Sequence, residues 1–444
     1  MKIEIPQGAA KVLKQLHNSG YEAFVVGGCV RDSLMGRIPS DWDITTSALP
    51  EEVKNCFSKT IDTGIEHGTV TVRMDGESYE VTTYRIDGKY EDARHPKEVI
   101  FTPNLEEDLK RRDFTINAMA YNEEKGLVDL YGGVKDLEDK VIRCVGNPME
   151  RFSEDALRML RALRFSAQLD FSIDNDTFEA IKQLAPTLEK ISAERVQVEL
   201  VKLVSSDHPE KMREVYQSGL SAIFFPEWDA MMECEQATAH HAYTVGEHTI
   251  RVMEQVPGIP RLRLAAMLHD VAKPVCKKTD DKGIDHFIGH PTLGGEMAKQ
   301  ILKRLKFDND TIAYVSAMAC YHDERPDATP RNIRRLVSRV GAELMPDLLV
   351  LKKADTLGQS EYQREEKLAY VEEVVRLWTE ICEKEEAVSV KDLVINGNDL
   401  IGLGMKKGPE LGEFLKECLE QVLDDPSKNN REYLLAEAKR RIGT

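Results

Sequence analysis

The segment Phe24-Val25-Val26-Gly27-Gly28-Cys29-Val30-Arg31-Asp32, followed after a short gap by Asp41-Trp42-Asp43-Ile44-Thr45-Thr46, decides how the amino-terminal part of this chain is read. An apolar run stops at two glycines, and a helix-like stretch starts directly behind them. In a strand, residues one apart point to the same face, so Asp41 and Asp43 would crowd two like charges, a cost that a cation between them removes. Gly27 and Gly28 let backbone amides approach a phosphate without Cβ interference, and a helix amino terminus adds free N–H groups and a favourable dipole. A Gly-Gly pair alone serves equally as a plain turn; the paired acids are what point to nucleotide chemistry.

Two carboxylates on one face can hold two Mg²⁺ ions for in-line nucleotidyl transfer, one activating an attacking hydroxyl and one bridging a triphosphate. A third acid is expected on a neighbouring strand. Glu80 in SYEVTTYR, after the strand-like GTVTVRM, is the candidate, with Glu66 a weaker one. Downstream, RRDFTINAMA places Asp113 and Asn117 at i and i+4, on one face of an expected helix. Arg112 beside them can neutralise phosphate, and Asp113 with Asn117 can hydrogen-bond a ribose. Taken alone, that string also fits an ordinary capped helix.

The bulk properties bound these readings. At 444 residues the chain should hold several domains, and 41% hydrophobic with 31% charged residues is a soluble, globular balance. No window approaches the ~18 apolar residues of a membrane span, and the first residues, MKIEIPQGAAKVLKQL, lack the apolar core of a signal peptide. The eight cysteines are scattered singly, which fits reduced thiols and a cytoplasmic location. A net charge of −17 argues against indiscriminate attraction to nucleic acid, yet Arg143 to Arg164 holds five arginines against three acids, a local basic stripe.

Periodicity divides the chain. The first ~125 residues mix strand and helix patterns, and from about 148 onward apolar residues recur at three and four almost without relief. The expected class is α+β followed by an all-α body, with segments 1–135, 136–226, 227–360 and 361–444.

FVVGGCVRDSLMG, DWDITT, RRDFTINAMA, DLYGGVKDLEDKVIR, ERFSEDALRMLRALRF and AERV, in that order and at those separations, resemble bacterial tRNA nucleotidyltransferases, the CCA-adding enzymes of the class shared with bacterial poly(A) polymerases. The resemblance covers roughly the first half of the chain. It implies a DNA-polymerase-β-type head over 1–135 with a helical neck over 136–226, and template-independent addition of C, C and A to a tRNA 3′ end from CTP and ATP. It also implies catalysis by Asp41, Asp43 and Glu80 with Mg²⁺, and a nucleotide-binding set that includes Gly27, Gly28, Arg31, Arg112, Asp113 and Asn117. The stretch from Tyr84 to Pro96 resembles the loop that full CCA-adding relatives keep, which favours complete addition. A poly(A) polymerase and a CC- or A-adding enzyme are the alternatives within this chemistry.

Selection of C and A has a physical candidate in Glu154-Asp155-Ala156-Leu157-Arg158. Asp155 and Arg158 fall at i and i+3, adjacent on an expected helix surface. A carboxylate accepts from the exocyclic amine of cytosine or adenine while a guanidinium donates to ring acceptors; uracil and guanine would face the pair with like groups. Without the preceding motifs the same pair is a surface ion pair. Arg161 and Arg164 continue that face as phosphate contacts or as the solvated side of the neck.

A second constellation lies on later helices. His248, the pair His269-Asp270 that ends RLRLAAMLHD, and Asp355 after LMPDLLVLKKA can converge on a divalent cation. This pattern resembles the HD phosphohydrolase domain, here over 227–360. That resemblance adds His290 and His322 as ligands of a two-metal centre holding a divalent transition metal, and Lys273 as a phosphate contact. His241 reads as a structural histidine. The implied activity is hydrolysis of a phosphomonoester or a 2′,3′-cyclic phosphate; an HD phosphohydrolase with a merely RNA-binding head is the rival reading. Glycines and lysines between Val394 and Pro409 can receive an RNA phosphate or simply close a helix-turn-helix; this stretch resembles the tRNA-binding tail of HD-containing relatives, assigned to 361–444.

Overall fold

The computed structural model describes residues 2–88, 99–238, 240 and 242–443. The chain divides between Asp229 and Ala230 into two compact units. Residues 89–96 of the loop singled out above, and His241, lie outside the described residues.

The first unit is built on a mixed sheet. Its strands are β1 (Ala23–Val26), β2 (Ile44–Thr46), β3 (Thr60–Gly64), β4 (Thr69–Met74) and β5 (Glu77–Thr83), then, past the separate pair β6 (Arg85–Asp87) and β7 (Val99–Phe101), β8 (Met119–Asn122) and β9 (Gly126–Asp129). The order is β3-β4-β5-β2-β1-β8-β9. β1 is apolar throughout because both faces are covered: Val25 packs with Val12, Leu16, Ile44, Val70 and Val81, while Phe24 and Val26 pack with Tyr84, Leu109 and Ala120. β2 runs antiparallel to β1 and parallel to β5, placing Ile44 opposite both Val25 and Val81. The loop before β2 and the turn after β1 therefore open at the same end of these two central strands.

Asp41 and Asp43 were expected within a strand; instead both precede β2, which begins at Ile44. Pro39 and Ser40 lead into them as irregular chain, Pro39 having no N–H to offer a ladder. Asp43 still touches the sheet, since its carbonyl accepts from Val26 N at 3.0 Å.

Behind the sheet the same unit turns helical. The helix Pro148–Glu154 ends at Asp155, and the neck helix Leu157–Leu169 follows; Asn175–Leu184 packs on the first and Ala193–Val204 on the second. The second unit is nearly all helix. Val245–Gln255, Pro260–Leu268, His290–Arg304, Asn309–Tyr321 and Met345–Gly358 surround a polar centre, and the tail helices Gly397–Gly402, Pro409–Asp424 and Arg431–Ile442 have their own core around Leu400, Phe414, Cys418, Val422 and Leu434. Lys406 and Lys407 are exposed in the turn between the first two of these tail helices. No helix among the described residues is long and apolar enough to cross a membrane.

Candidate active site and candidate metal centre

Gly27 leaves β1 with φ 78° and ψ −127°, a conformation that costs a side-chain-bearing residue. A Cβ there would also stand 3.1 Å from Arg112 Nη1, so the glycine admits a guanidinium as well as a turn. Gly27 N donates to Met119 O at 3.1 Å. The parallel register of Ile44 with Val81 puts Asp43 level with Glu80 on β5. The Asp43 carboxyl is pushed up, first by desolvation and then by Glu80 and Asp41, with Arg112 opposing. Asp43 thus feels both of the other acids. Among the described residues they do not form a group of three donors within 4.8 Å; such groups occur only in the histidine centre. Asp41 is turned partly to Ser40, whose Oγ donates to it at 2.9 Å.

Asp113 and Asn117 do meet, although not on the helix that their spacing suggests. Phe114 forms a β-bridge to Cys144, and the chain closes a 3₁₀ turn only at Thr115–Asn117. Asn117 Nδ2 donates to Asp113 Oδ1 at 3.2 Å, and Arg31 Nη1 donates to Asn117 Oδ1 at 2.8 Å. Arg161 reaches Asp113 Oδ2 through Nε at 3.0 Å and Nη2 at 2.6 Å. Burial alone would raise the Asp113 pKa; Arg161, Arg158 and the Asn117 bond outweigh it and hold the carboxyl at about 2. Arg164 and Glu199 are buried together with Nε and Oε2 3.0 Å apart.

The Asp155–Arg158 expectation needs correction in its geometry. Asp155 is extended, at φ −140° and ψ 103°, between two helices rather than on one. Its Oδ1 accepts from Leu157 N at 3.1 Å, a local bond that competes with helix continuation. Its Oδ2 accepts from Arg195 Nη2 at 2.7 Å, while Arg158 donates to Glu154 Oε2 at 2.6 Å and to the carbonyls of Arg151 and Arg111. The two residues therefore hold separate partners.

A cavity of about 660 Å³ gathers Gly27, Gly28, Arg31, Asp41, Asp43, Arg112, Asp113, Asn117, Arg161 and Arg164. Asp155 and Arg158 are outside its wall, as is Glu80. The wall also contains Asp32, Phe165 and the loop Ser205-Ser206-Asp207, none of which the sequence reading had singled out for a site. Buried Asp108 was missed too: it accepts from Arg111 and Thr45 and pairs with Arg112 at 3.3 Å, tying the arginine motif to β2. Its only sequence signal is an acid three and four residues before two arginines.

In the second unit all six predicted ligands converge. Asp270 lies between two histidine pairs: its Oδ2 is 3.5 Å from His248 Nε2 and 3.2 Å from His269 Nε2, and its Oδ1 is 3.4 Å from His290 Nε2 and 3.3 Å from His322 Nε2. Asp355 Oδ1 is 3.0 Å from His248 Nε2. Lys273 Nζ is 2.7 Å from Asp270 Oδ2 and also donates to Gln236 Oε1. Each histidine Nδ1 faces a backbone carbonyl, of Gly358, Ala266, Phe287 and Ala319 respectively. Such bonds fix Nδ1 as the protonated nitrogen and leave Nε2 as a lone-pair donor.

Four Nε2 atoms then point at a buried carboxylate neither of whose oxygens accepts a well-formed hydrogen bond. The Nε2 atoms of His248 and His269 are 3.4 Å apart, and those of His290 and His322 3.3 Å. Lone pairs so disposed fit divalent cations and little else. A cleft of about 490 Å³, with Lys273, Arg325 and Lys367 in its wall, opens over this centre.

The sheet, the glycine turn, the paired acids and the arginine wall define a nucleotidyltransferase head, and residues 23–143 match the family model described as "Poly A polymerase head domain". Residues 170–232 match "Probable RNA and SrmB- binding site of polymerase A", and 282–438 match tRNA nucleotidyltransferase domain 2. Within that class, this chain belongs to the CCA-adding enzymes, the tRNA nucleotidyltransferases that include the Enterococcus faecalis CCA-adding enzyme, 36% identical over 97% of this chain and 95% of that one. The Ligilactobacillus salivarius enzyme is also 36% identical, over 97% and 96%. The crystal structure of the Bacillus stearothermophilus CCA-adding enzyme in complex with CTP superposes with a TM-score of 0.73 at 29% identity, covering 98% of both chains.

Proposed function

We propose that this enzyme adds C, C and A to the 3′ end of tRNA from CTP and ATP at the cavity between Gly27-Gly28 and the neck helix. The carrying observation is that Asp41 and Asp43 share the wall of that cavity with Arg31, Arg112, Arg161 and Arg164. The effect of Asp41 and Glu80 on Asp43 fits Mg²⁺, which when bound supplies charge neutralisation and activation of the attacking hydroxyl. The arginines and the Gly27-Gly28 backbone orient the triphosphate, and Asp113 with Asn117 holds the ribose. We assign base reading to Asp155 and Arg158 once Arg195 and Glu154 release them, and we keep 1–135, 136–226, 227–360 and 361–444 as the functional partition. Exposed Lys406 and Lys407 suit contact with the tRNA body.

The test supplies tRNA ending at the discriminator base with CTP, ATP, both or UTP. Sequential C, C and A addition supports the reading; extension stopping at CC, or with ATP alone, overturns it.

A second activity is favoured by the histidine centre. We infer that His248, His269, Asp270, His290, His322 and Asp355 hold divalent transition-metal ions, which when bound lower the pKa of water for attack on phosphorus. Lys273 then steadies Asp270 and stands ready for a phosphate oxygen, and the cleft over the centre admits the substrate. The substrates we assign are a phosphomonoester or a 2′,3′-cyclic phosphate. Hydrolysis of either by metal-loaded enzyme, lost in His269→Ala and kept in Asp41→Ala, is the expected result; the reverse pattern sinks it.

A further inference from the structure

Phe165 stands at the centre of the cationic wall. Its ring is buried on the neck helix, edge-on to Phe114 at 5.8 Å between centroids, and lines the same cavity as Gly27 and Gly28. Three guanidinium groups gather on it, with Arg164 Cζ 3.9 Å, Arg31 Cζ 5.1 Å and Arg161 Cζ 5.5 Å from the centroid. Arg161 and Arg164 come from the neck helix, and Arg31 comes from the helix behind the glycine turn. The ring is thus a joint between two elements that share no sequence neighbourhood.

Three like charges around one ring repel, and three acids offset them one for one. Asp32 takes Arg31, Asp113 takes Arg161, and Glu199 reaches Arg164 and Arg161 at 3.0 and 3.7 Å. Even so, Arg164 Nε and Glu199 Oε2 are buried without a well-formed hydrogen bond. Burial, with Arg161 and Arg31 nearby, pushes the Arg164 guanidinium down to about 10. A cluster in this condition gains from a polyanion arriving in the cavity. The negative face of an aromatic ring attracts guanidinium groups and resists their spreading apart beforehand.

We propose that Phe165 is a positioning residue of the triphosphate site, its ring holding Arg31, Arg161 and Arg164 at the spacing that receives three linked phosphates, whichever base they carry. This rests on the nucleotidyl-transfer reading above. Because the ring acts through the arginines, it should affect CTP and ATP alike and leave tRNA binding alone.

The experiment compares wild type, Phe165→Leu, Phe165→Met and Phe165→Tyr in single-nucleotide addition, with inorganic tripolyphosphate as a competing anion lacking base and ribose. Loss of the ring face in Phe165→Leu should raise KM for CTP and ATP by about tenfold each, with kcat changing by less than about twofold. The tRNA KM should stay at the wild-type value, and tripolyphosphate inhibition should weaken by the same factor as nucleotide binding. Phe165→Tyr should restore all of these. Phe165→Met, close in volume and without a ring, should match the leucine exchange and serves if the latter melts below the assay temperature.

A merely structural role would instead lower kcat or raise every KM together, and tyrosine would not separate from leucine. Unchanged tripolyphosphate inhibition in a folded non-aromatic variant overturns the proposal, as does an effect confined to one nucleotide. Failure of the wild type to add nucleotides would strike the underlying reading instead.

Discussion

Arg161 donates two hydrogen bonds to one carboxylate oxygen of Asp113, across 48 residues of sequence, and so closes the neck helix onto the head at the wall of the cavity. Asp113 is held at about 2 against an ordinary value of 3.8, because Arg161 outweighs the cost of burial. Its contribution to stability is complete above the unfolded value and lost as pH falls from there towards about 2. Asp113→Ala should destabilise the protein at neutral pH by about 3 kcal/mol. Chemical denaturation at a series of acidic pH values should show the wild-type advantage shrinking through that window.

Gly27 combines a positive φ with a guanidinium where a Cβ would point. Gly27→Ala should cost about 1–2 kcal/mol from the backbone alone and also displace Arg112. Calorimetric melting together with KM for CTP checks both; an alanine enzyme with wild-type KM would show that Arg112 does not serve the nucleotide.

Asp43 has the opposite sign from Asp113. Its pKa is raised in the fold, so at neutral pH its ionised form detracts from stability, a loss that is full above the raised value and eases as pH falls through it towards the ordinary 3.8. Asp43→Asn should therefore melt at a higher temperature than wild type at neutral pH while nucleotide addition falls by at least about a thousandfold. A variant both stable and active would remove Asp43 from catalysis.

Asp155 and Arg195 are joined at 2.7 Å. Asp155→Ala should relax discrimination against UTP by at least about tenfold, since an unpaired site group no longer penalises the wrong base. Arg195→Ala frees the carboxylate without removing it and should leave UTP rejected. Competitive incorporation from mixed nucleotides distinguishes the two.

Asp270 stands between the histidine pairs, so Asp270→Asn should lose bound metal as measured by elemental analysis of purified protein. A chelator should lower the melting temperature of the wild type and leave the variant unmoved. With Mg²⁺ supplied and no chelator present, CTP addition should persist in wild type and variant.

The parts of the site that were legible in the sequence are those encoded by neighbours in the chain. An apolar run, two glycines and two acids one residue apart fall within twenty residues; the metal-centre candidates are spread from His248 to Asp355, and His290 and His322 among them came from the likeness to the HD phosphohydrolase domain. Asp113 and Asn117 were paired correctly, but their helix was not there because Phe114 is drawn into a bridge with Cys144. Asp155 sat within an unbroken helical periodicity, and only its bond to Leu157 N breaks the helix. Glu199 carried no signal and Arg195 only its place in the AERV stretch: each acts on an arginine or aspartate brought near by tertiary packing, and periodicity records which face a residue occupies, not whom it meets.

Three of the four histidines in the second unit bond the carbonyl three residues before them: His269 to Ala266, His290 to Phe287 and His322 to Ala319. Each imidazole is therefore aimed by its own turn of chain and owes its orientation to no distant partner. Were an ion held there, its departure would leave three donors still facing inward, with no tautomer to exchange before another could bind.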